Sequence, residues 1–121
     1  MKVLIVEDDP NNMELMTIVL KHYGHETIGA FTGESGIEKA AASRPDLILM
    51  DINLPGIDGF ETTRRMRKIE SILHVPIIAI TASMAFDTNT IQKAGCNGYL
   101  EKPINLLTIN DTIMGIIKAT K

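Results

Sequence analysis

Five short runs of apolar residues, each followed by a stretch with helical spacing, constrain this chain more than any other feature. Lys2–Val6 and the run 47–50 (Leu47-Ile48-Leu49-Met50) have no polar alternation, which marks strands buried on both faces of a parallel sheet. Further strands are expected at Glu26–Ala30, at 75–80, where Pro76 stands at the edge, and at Gly98–Glu101. The intervening helices are expected at about 10–23, 33–42, 60–70, somewhere within 81–94, and 106–118. Asp9-Pro10 reads as an N-cap with proline at the first helical position, and Gly24 as the stop. In that first helix Leu15, Met16, Val19, Leu20 and Tyr23 are the expected inward positions, and Met66 and Ile69 those of the third. Strands alternating with helices require right-handed crossovers. The expected fold is α/β, a doubly wound five-stranded parallel sheet of order 2-1-3-4-5 with helices on both faces.

At 121 residues, the chain has room for one domain with an adequate core. Hydrophobic residues make up 45% and charged ones 22%, the composition of a globular rather than a disordered chain. Twelve basic residues against fifteen acidic ones argue against a dedicated nucleic-acid binder, and no apolar run is long enough to span a bilayer. The N-terminal segment lacks the pattern of a signal peptide, and Cys96 has no second cysteine to pair with, which together suggest a cytoplasmic setting. Cys96 itself reads as a small buried hydrophobe. His22, His25 and His74 are scattered, and Arg64, Arg65, Arg67 and Lys68 read as a solvated helix face.

In an open α/β sheet, ligands bind beyond the carboxyl ends of the strands. Strand 1 ends in Glu7-Asp8-Asp9, strand 3 in Asp51, strand 4 in Thr81 and strand 5 in Glu101-Lys102-Pro103. Clustered carboxylates repel one another unless protons or a cation neutralise them, and a few hard oxygens shared with water suit Mg²⁺. Asp8 and Asp51 are candidate ligands, Thr81 and Lys102 candidate partners of phosphoryl oxygens, and Asp51 a candidate nucleophile. Asp9 is better explained as the helix cap.

These residues make the chain resemble the receiver domain of a two-component response regulator, of the stand-alone CheY and DivK kind. The motifs are Val3-Leu4-Ile5-Val6-Glu7-Asp8-Asp9, Pro45-Asp46-Leu47-Ile48-Leu49-Met50-Asp51-Ile52-Asn53-Leu54-Pro55-Gly56-Ile57-Asp58-Gly59, Ile80-Thr81-Ala82 and Tyr99-Leu100-Glu101-Lys102-Pro103. They span nearly the whole chain in order. The resemblance implies one receiver domain over 1–121 without an output domain, and a signalling switch that catalyses its own phosphorylation and dephosphorylation. Asp51 would accept a phosphoryl group from a phosphohistidine on a sensor histidine kinase or phosphotransfer protein. Mg²⁺ (or Mn²⁺) would be held by Asp8, Asp51 and the Asn53 backbone carbonyl, with Glu7 acting through water. Thr81 and Tyr99 would be the switch pair, and the Lys102–Pro103 bond would be cis. Asn53 and Ser83 occupy the positions that tune phosphoryl lifetime. A downstream protein, not DNA or a membrane, would read the switch, and the chain would be a monomer or weak dimer.

The last helix adds a surface. Leu106, Ile109, Ile113 and Ile117 form its inward face, while Leu107 and Met114 widen the apolar arc and are candidate partner contacts. Three rival readings are weaker. A haloacid-dehalogenase-like phosphatase needs a second acid where Asn53 stands, and Glu7-Asp8-Asp9 would repel the phosphate of a flavin mononucleotide. A phosphorylation-independent interaction module would not require the intact site.

Overall fold

The computed structural model describes residues 1–82 and 88–120. The elements run β1 (Lys2–Val6), α1 (Pro10–His22), β2 (Glu26–Ala30), α2 (Gly33–Ser43), β3 (Leu47–Asp51), α3 (Gly59–Met66), a 3₁₀ turn (Glu70–Ile72), β4 (Ile77–Thr81), α4 (Thr88–Ala94), β5 (Gly98–Glu101) and α5 (Ile109–Ala119). The strands form one parallel sheet of order β2-β1-β3-β4-β5. This is the expected doubly wound architecture.

The unbroken apolar runs follow from burial on both faces. Leu4, Val6, Ile48, Met50, Ile77 and Ala79 face a core closed by Ala40 of α2, Phe60 and Met66 of α3, and Ile91 and Ala94 of α4. Their neighbours Val3, Ile5, Leu47, Leu49, Ile78 and Ile80 face the opposite core under α1 and α5. Each fully buried Val, Leu or Ile contributes roughly 1.5–3 kcal/mol of apolar transfer, so β1, β3 and β4 are where most of the stability is concentrated. Helix starts are fixed locally. Asp9 Oδ1 accepts from Asn11 N (2.9 Å), Thr32 Oγ1 from Ser35 N (3.1 Å) and Asp58 Oδ1 from Glu61 N (2.8 Å).

Five details differ from expectation. In α1 the buried face is Met13, Met16 and Leu20, while Leu15 and Tyr23 stand 45% and 43% exposed. Two apolar stripes compete on this helix, and the one seated on β1 is set by Met13, whose sulfur occupies the space beside Gly29 of the neighbouring strand. Helix α3 stops at Met66 rather than running on to residue 70, and β4 begins at Ile77, not at 75. Helix α5 begins at Ile109 instead of 106 because Asn105 takes the preceding residues into a turn. Its Oδ1 accepts from Leu107 N (3.0 Å) and its carbonyl from Thr108 N (3.2 Å).

Arg67 is the fifth. It is not part of a solvated basic face. Its guanidinium donates to the carbonyls of Gly95 (2.9 Å), Leu73 (3.2 Å) and Val75 (2.8 Å) and to Asn97 Oδ1 (2.8 Å), tying the loops after α3 and α4 together. Asn97 Oδ1 also accepts from Ile77 N (2.9 Å), so the clamp reaches the start of β4. Arg64 and Arg65 do lie on the surface, paired with Glu61. Cys96 is buried, its thiol 3.8 Å from Thr63 Oγ1, and burial pushes its pKa up.

Candidate functional site

The site is assembled at the carboxyl ends of β1, β3, β4 and β5. Glu7 directly follows β1, and its amide donates to Ala30 O (3.0 Å), which holds the residue in line with the sheet. Asp51 is the last residue of β3, opposite Ile80 of β4. Thr81 ends β4 beside Glu101, and the Lys102 amide donates to Thr81 O (2.8 Å). The Lys102–Pro103 peptide is cis. Beyond Asp51 the chain must turn sharply into α3. Gly59 N donates to Ile52 O (3.0 Å), and a Cβ at Gly59 would run into the Asp51 carbonyl oxygen, so only glycine permits this approach.

Four charged side chains meet there. Glu7 is 0% exposed and Asp51 1%, while Asp8 lies on the surface. Carboxylate oxygens of Glu7, Asp8 and Asp51 all lie within 4.8 Å of one another. Lys102 Nζ donates to Asp51 Oδ2 (3.1 Å) and lies 3.2 Å from Glu7 Oε1. The second oxygen of each acid is held by the backbone. Asp9 N donates to Glu7 Oε2 (3.2 Å) and Asn53 N to Asp51 Oδ1 (3.0 Å). Glu7 Oε1 is thus held by the ion pair with Lys102 rather than by a backbone amide.

The electrostatics follow from this crowding. Burial, then the hydrogen bond and repulsion from Asp51, push the Glu7 carboxyl from its ordinary 4.5 up to about 7, against the pull of the Asp9 amide and Lys102. Burial works to lower the Lys102 pKa, but Asp51 and Glu7 outweigh it and raise it. One ammonium thus faces three carboxyl groups, and negative charge remains in excess. Three carboxyl groups sharing one ammonium, in an all-oxygen set, suit a hard divalent cation, so these residues fit Mg²⁺.

The sequence of residues 3–114 matches the family model described as the response regulator receiver domain. The chain belongs to that family. This receiver domain is 40% identical to the polar-differentiation response regulator DivK of Brucella anthropi over 112 residues, covering 92% of this chain and 91% of that one. Its fold is similar to that of the Vibrio cholerae chemotaxis protein CheY4, with a TM-score of 0.90, 28% identity and coverage of 95% and 97%. It is also similar to the receiver domain of the Pseudomonas aeruginosa sensor histidine kinase PA1611, solved with a magnesium ion in its active-site cleft. There the TM-score is 0.88, the identity 34%, and 97% of each chain is covered. The receiver domain is thus a signalling switch of a two-component system.

The remaining sequence-derived positions distribute as follows. Thr81 is buried at the site, and the Asn53 side chain is exposed at its rim. Tyr99 is half-buried against the core that includes Ile91 and Cys96. Leu107 is 87% exposed and Met114 42%. Ser83 lies outside the described residues. Among the described residues no helix is long and apolar enough to cross a membrane. One feature of the site was not read from the sequence. A groove of about 400 Å³ opens beside Glu7 and Lys102, walled by Leu15, Met16, Ile104 and Leu106. Its available signal was the pair Ile104 and Leu106, apolar residues in a loop just past Lys102-Pro103.

Proposed function

We propose that this receiver domain, acting as one unit over residues 1–121, accepts a phosphoryl group on Asp51 from a phosphohistidine of a sensor kinase or histidine phosphotransfer protein. The observation that carries this reading is the Asp51 carboxylate, buried at the end of β3 with Lys102 Nζ 3.1 Å from its Oδ2 and two further acids beside it. A carboxylate so placed is oriented as a nucleophile, and catalysis consists of positioning and charge neutralisation. Asn53 N on Oδ1 and Lys102 on Oδ2 fix the carboxylate plane. Lys102 is then shared with an incoming phosphoryl oxygen, and the Thr81 hydroxyl receives another.

Asp8, Asp51 and the Asn53 carbonyl would hold Mg²⁺ or Mn²⁺, with Glu7 acting through water. When bound, the ion neutralises charge developing on the transferred group. Occupancy of Asp51 draws Thr81 toward the phosphoryl group, and Tyr99 follows inward. That two-state shift changes which proteins bind. The exposed Leu107 and Met114 belong to the surface a downstream protein reads. Asn53 at the rim tunes the lifetime of the adduct, and Ser83 is assigned the same role from the sequence. No separate substrate is turned over, and neither DNA nor a membrane is engaged directly. The domain acts in the cytoplasm as a monomer or weak dimer.

The test is intact mass after incubation with acetyl phosphate, in Mg²⁺ and in EDTA, beside Asp51→Asn. A Mg²⁺-dependent gain of one phosphoryl group, absent in the variant, is expected. Neither an adduct nor binding of fluoroberyllate would overturn the reading in favour of a phosphorylation-independent interaction module.

A further inference from the structure

We infer that the groove between α1 and the segment after β5 is a subsite for the hydrocarbon part of a small acyl phosphate, and that it makes this domain select longer acyl chains. The inference rests on Asp51 being the phosphoryl acceptor. Glu7 and Lys102 belong to both places. They line the groove, and Lys102 Nζ is simultaneously 3.1 Å from Asp51 Oδ2. A phosphoryl group taken up by Lys102 and Asp51 must point its leaving oxygen away from Asp51, because attack and departure are in line. The organic remainder then extends outward from the pocket. On the α1 side its path runs over Leu15, Met16, Ile104 and Leu106, an apolar wall that offers a hydrocarbon chain burial and offers a phosphate nothing.

The groove's volume of about 400 Å³ holds several methylenes. A second hollow, lined by Pro45, His74 and Pro76, lies at the amino ends of β3 and β4, too remote to receive a donor of Asp51. Leu15, displaced from the core by the phase of α1 and 45% exposed, finds its use here.

In the reaction, an Asp51 carboxylate oxygen forms a bond to phosphorus as the bond between phosphorus and the acyl oxygen breaks. The acyl carboxylate leaves with the electron pair, and no redox partner is needed. Acetyl and butyryl phosphate release carboxylates of nearly equal basicity, so their intrinsic reactivities match and only the apolar chain differs. A fully buried methylene is worth about fourfold, so two methylenes half-covered by an open groove predict about a fourfold advantage in second-order rate.

The experiment measures initial phosphorylation rates by intact mass with acetyl and with butyryl phosphate in Mg²⁺, for the wild type and for Leu15→Ser/Leu106→Ser. Both replaced side chains are partly exposed, which leaves the fold intact. Wild type should favour butyryl phosphate about fourfold, and the variant should react with both donors at the wild-type acetyl phosphate rate. Independently, butylphosphonate should shift the methyl NMR signals of Met16 and Ile104 in the wild type and not in the variant. Equal or slower reaction with butyryl phosphate, or a preference that survives in the variant, would overturn the groove and leave Asp51 as acceptor. No adduct from either donor would overturn both.

Discussion

Replacing Glu7 by glutamine should stabilise the metal-free protein, although it removes a residue of the functional site. Glu7 is fully buried, and its carboxyl is pushed from 4.5 to about 7. The native carboxyl therefore binds its proton more tightly than the unfolded chain does. By linkage, the stability this provides is fully present below 4.5 and is lost as the pH rises through about 7. Each tenfold difference in proton affinity is worth about 1.4 kcal/mol, so the ionised carboxylate costs about 3 kcal/mol at roughly pH 8. Glutamine keeps the volume, accepts the Asp9 amide that now bonds Oε2 at 3.2 Å, and can donate to Asp51.

The chain has no tryptophan, so urea unfolding is followed by far-UV circular dichroism. In EDTA at about pH 8, Glu7→Gln should be about 3 kcal/mol more stable than wild type, with the gap shrinking as the pH falls toward 4.5. Saturating Mg²⁺ should close most of the gap, because the cation stabilises the wild-type acids and has less to hold in the variant. A variant no more stable than wild type at high pH, or a gap that grows on acidification, would refute the claim that Glu7 is a strained carboxylate awaiting a cation.

Other consequences are equally open to measurement. Lys102→Met should tighten Mg²⁺ binding severalfold in a calorimetric titration, by removing a competing cation, yet slow phosphorylation by acetyl phosphate about a hundredfold. A parallel loss of both would mean that Lys102 only holds the fold. Arg67→Met keeps the alkyl stem but strips four close acceptors of their donor, and should cost about 3 kcal/mol in urea unfolding. Arg67→Lys should recover little of that, since one ammonium cannot span the same fork. Charging Leu107 and Met114 together should weaken capture of a downstream protein while leaving phosphorylation of Asp51 unchanged. Undiminished capture would remove them from the partner surface.

The sheet was legible because two-faced burial confines polar residues to the strand ends: Lys2 opens β1, Asp51 closes β3 and Thr81 closes β4. A continuous apolar run of that length has few other uses. Glu7, Asp51, Thr81 and Lys102 were legible for a related reason. Where strands end on a common edge, the polar residues that close or follow each run are brought to one place by topology alone. Helix phase was harder. Leu15 and Met16 are equally apolar in the sequence, and the choice between them is made by Gly29, which leaves room on β2 for Met13. Arg67 was misread because its acceptors are backbone carbonyls some six to twenty-eight positions away, which no side-chain pattern announces. The start of α5 turned on one asparagine competing for backbone amides. The groove needed α1 and the residues after Pro103 in one frame, a relation between distant segments.

The central claim is that Asp51 carries the phosphoryl group. After reaction with acetyl phosphate in Mg²⁺, borohydride reduction converts an aspartyl phosphate into homoserine, and peptide mass spectrometry locates it. Homoserine at position 51, and its loss when EDTA is present during phosphorylation, is the predicted result. Homoserine at position 8 or 9, or none at any position while the intact protein gains a phosphoryl group, would contradict it.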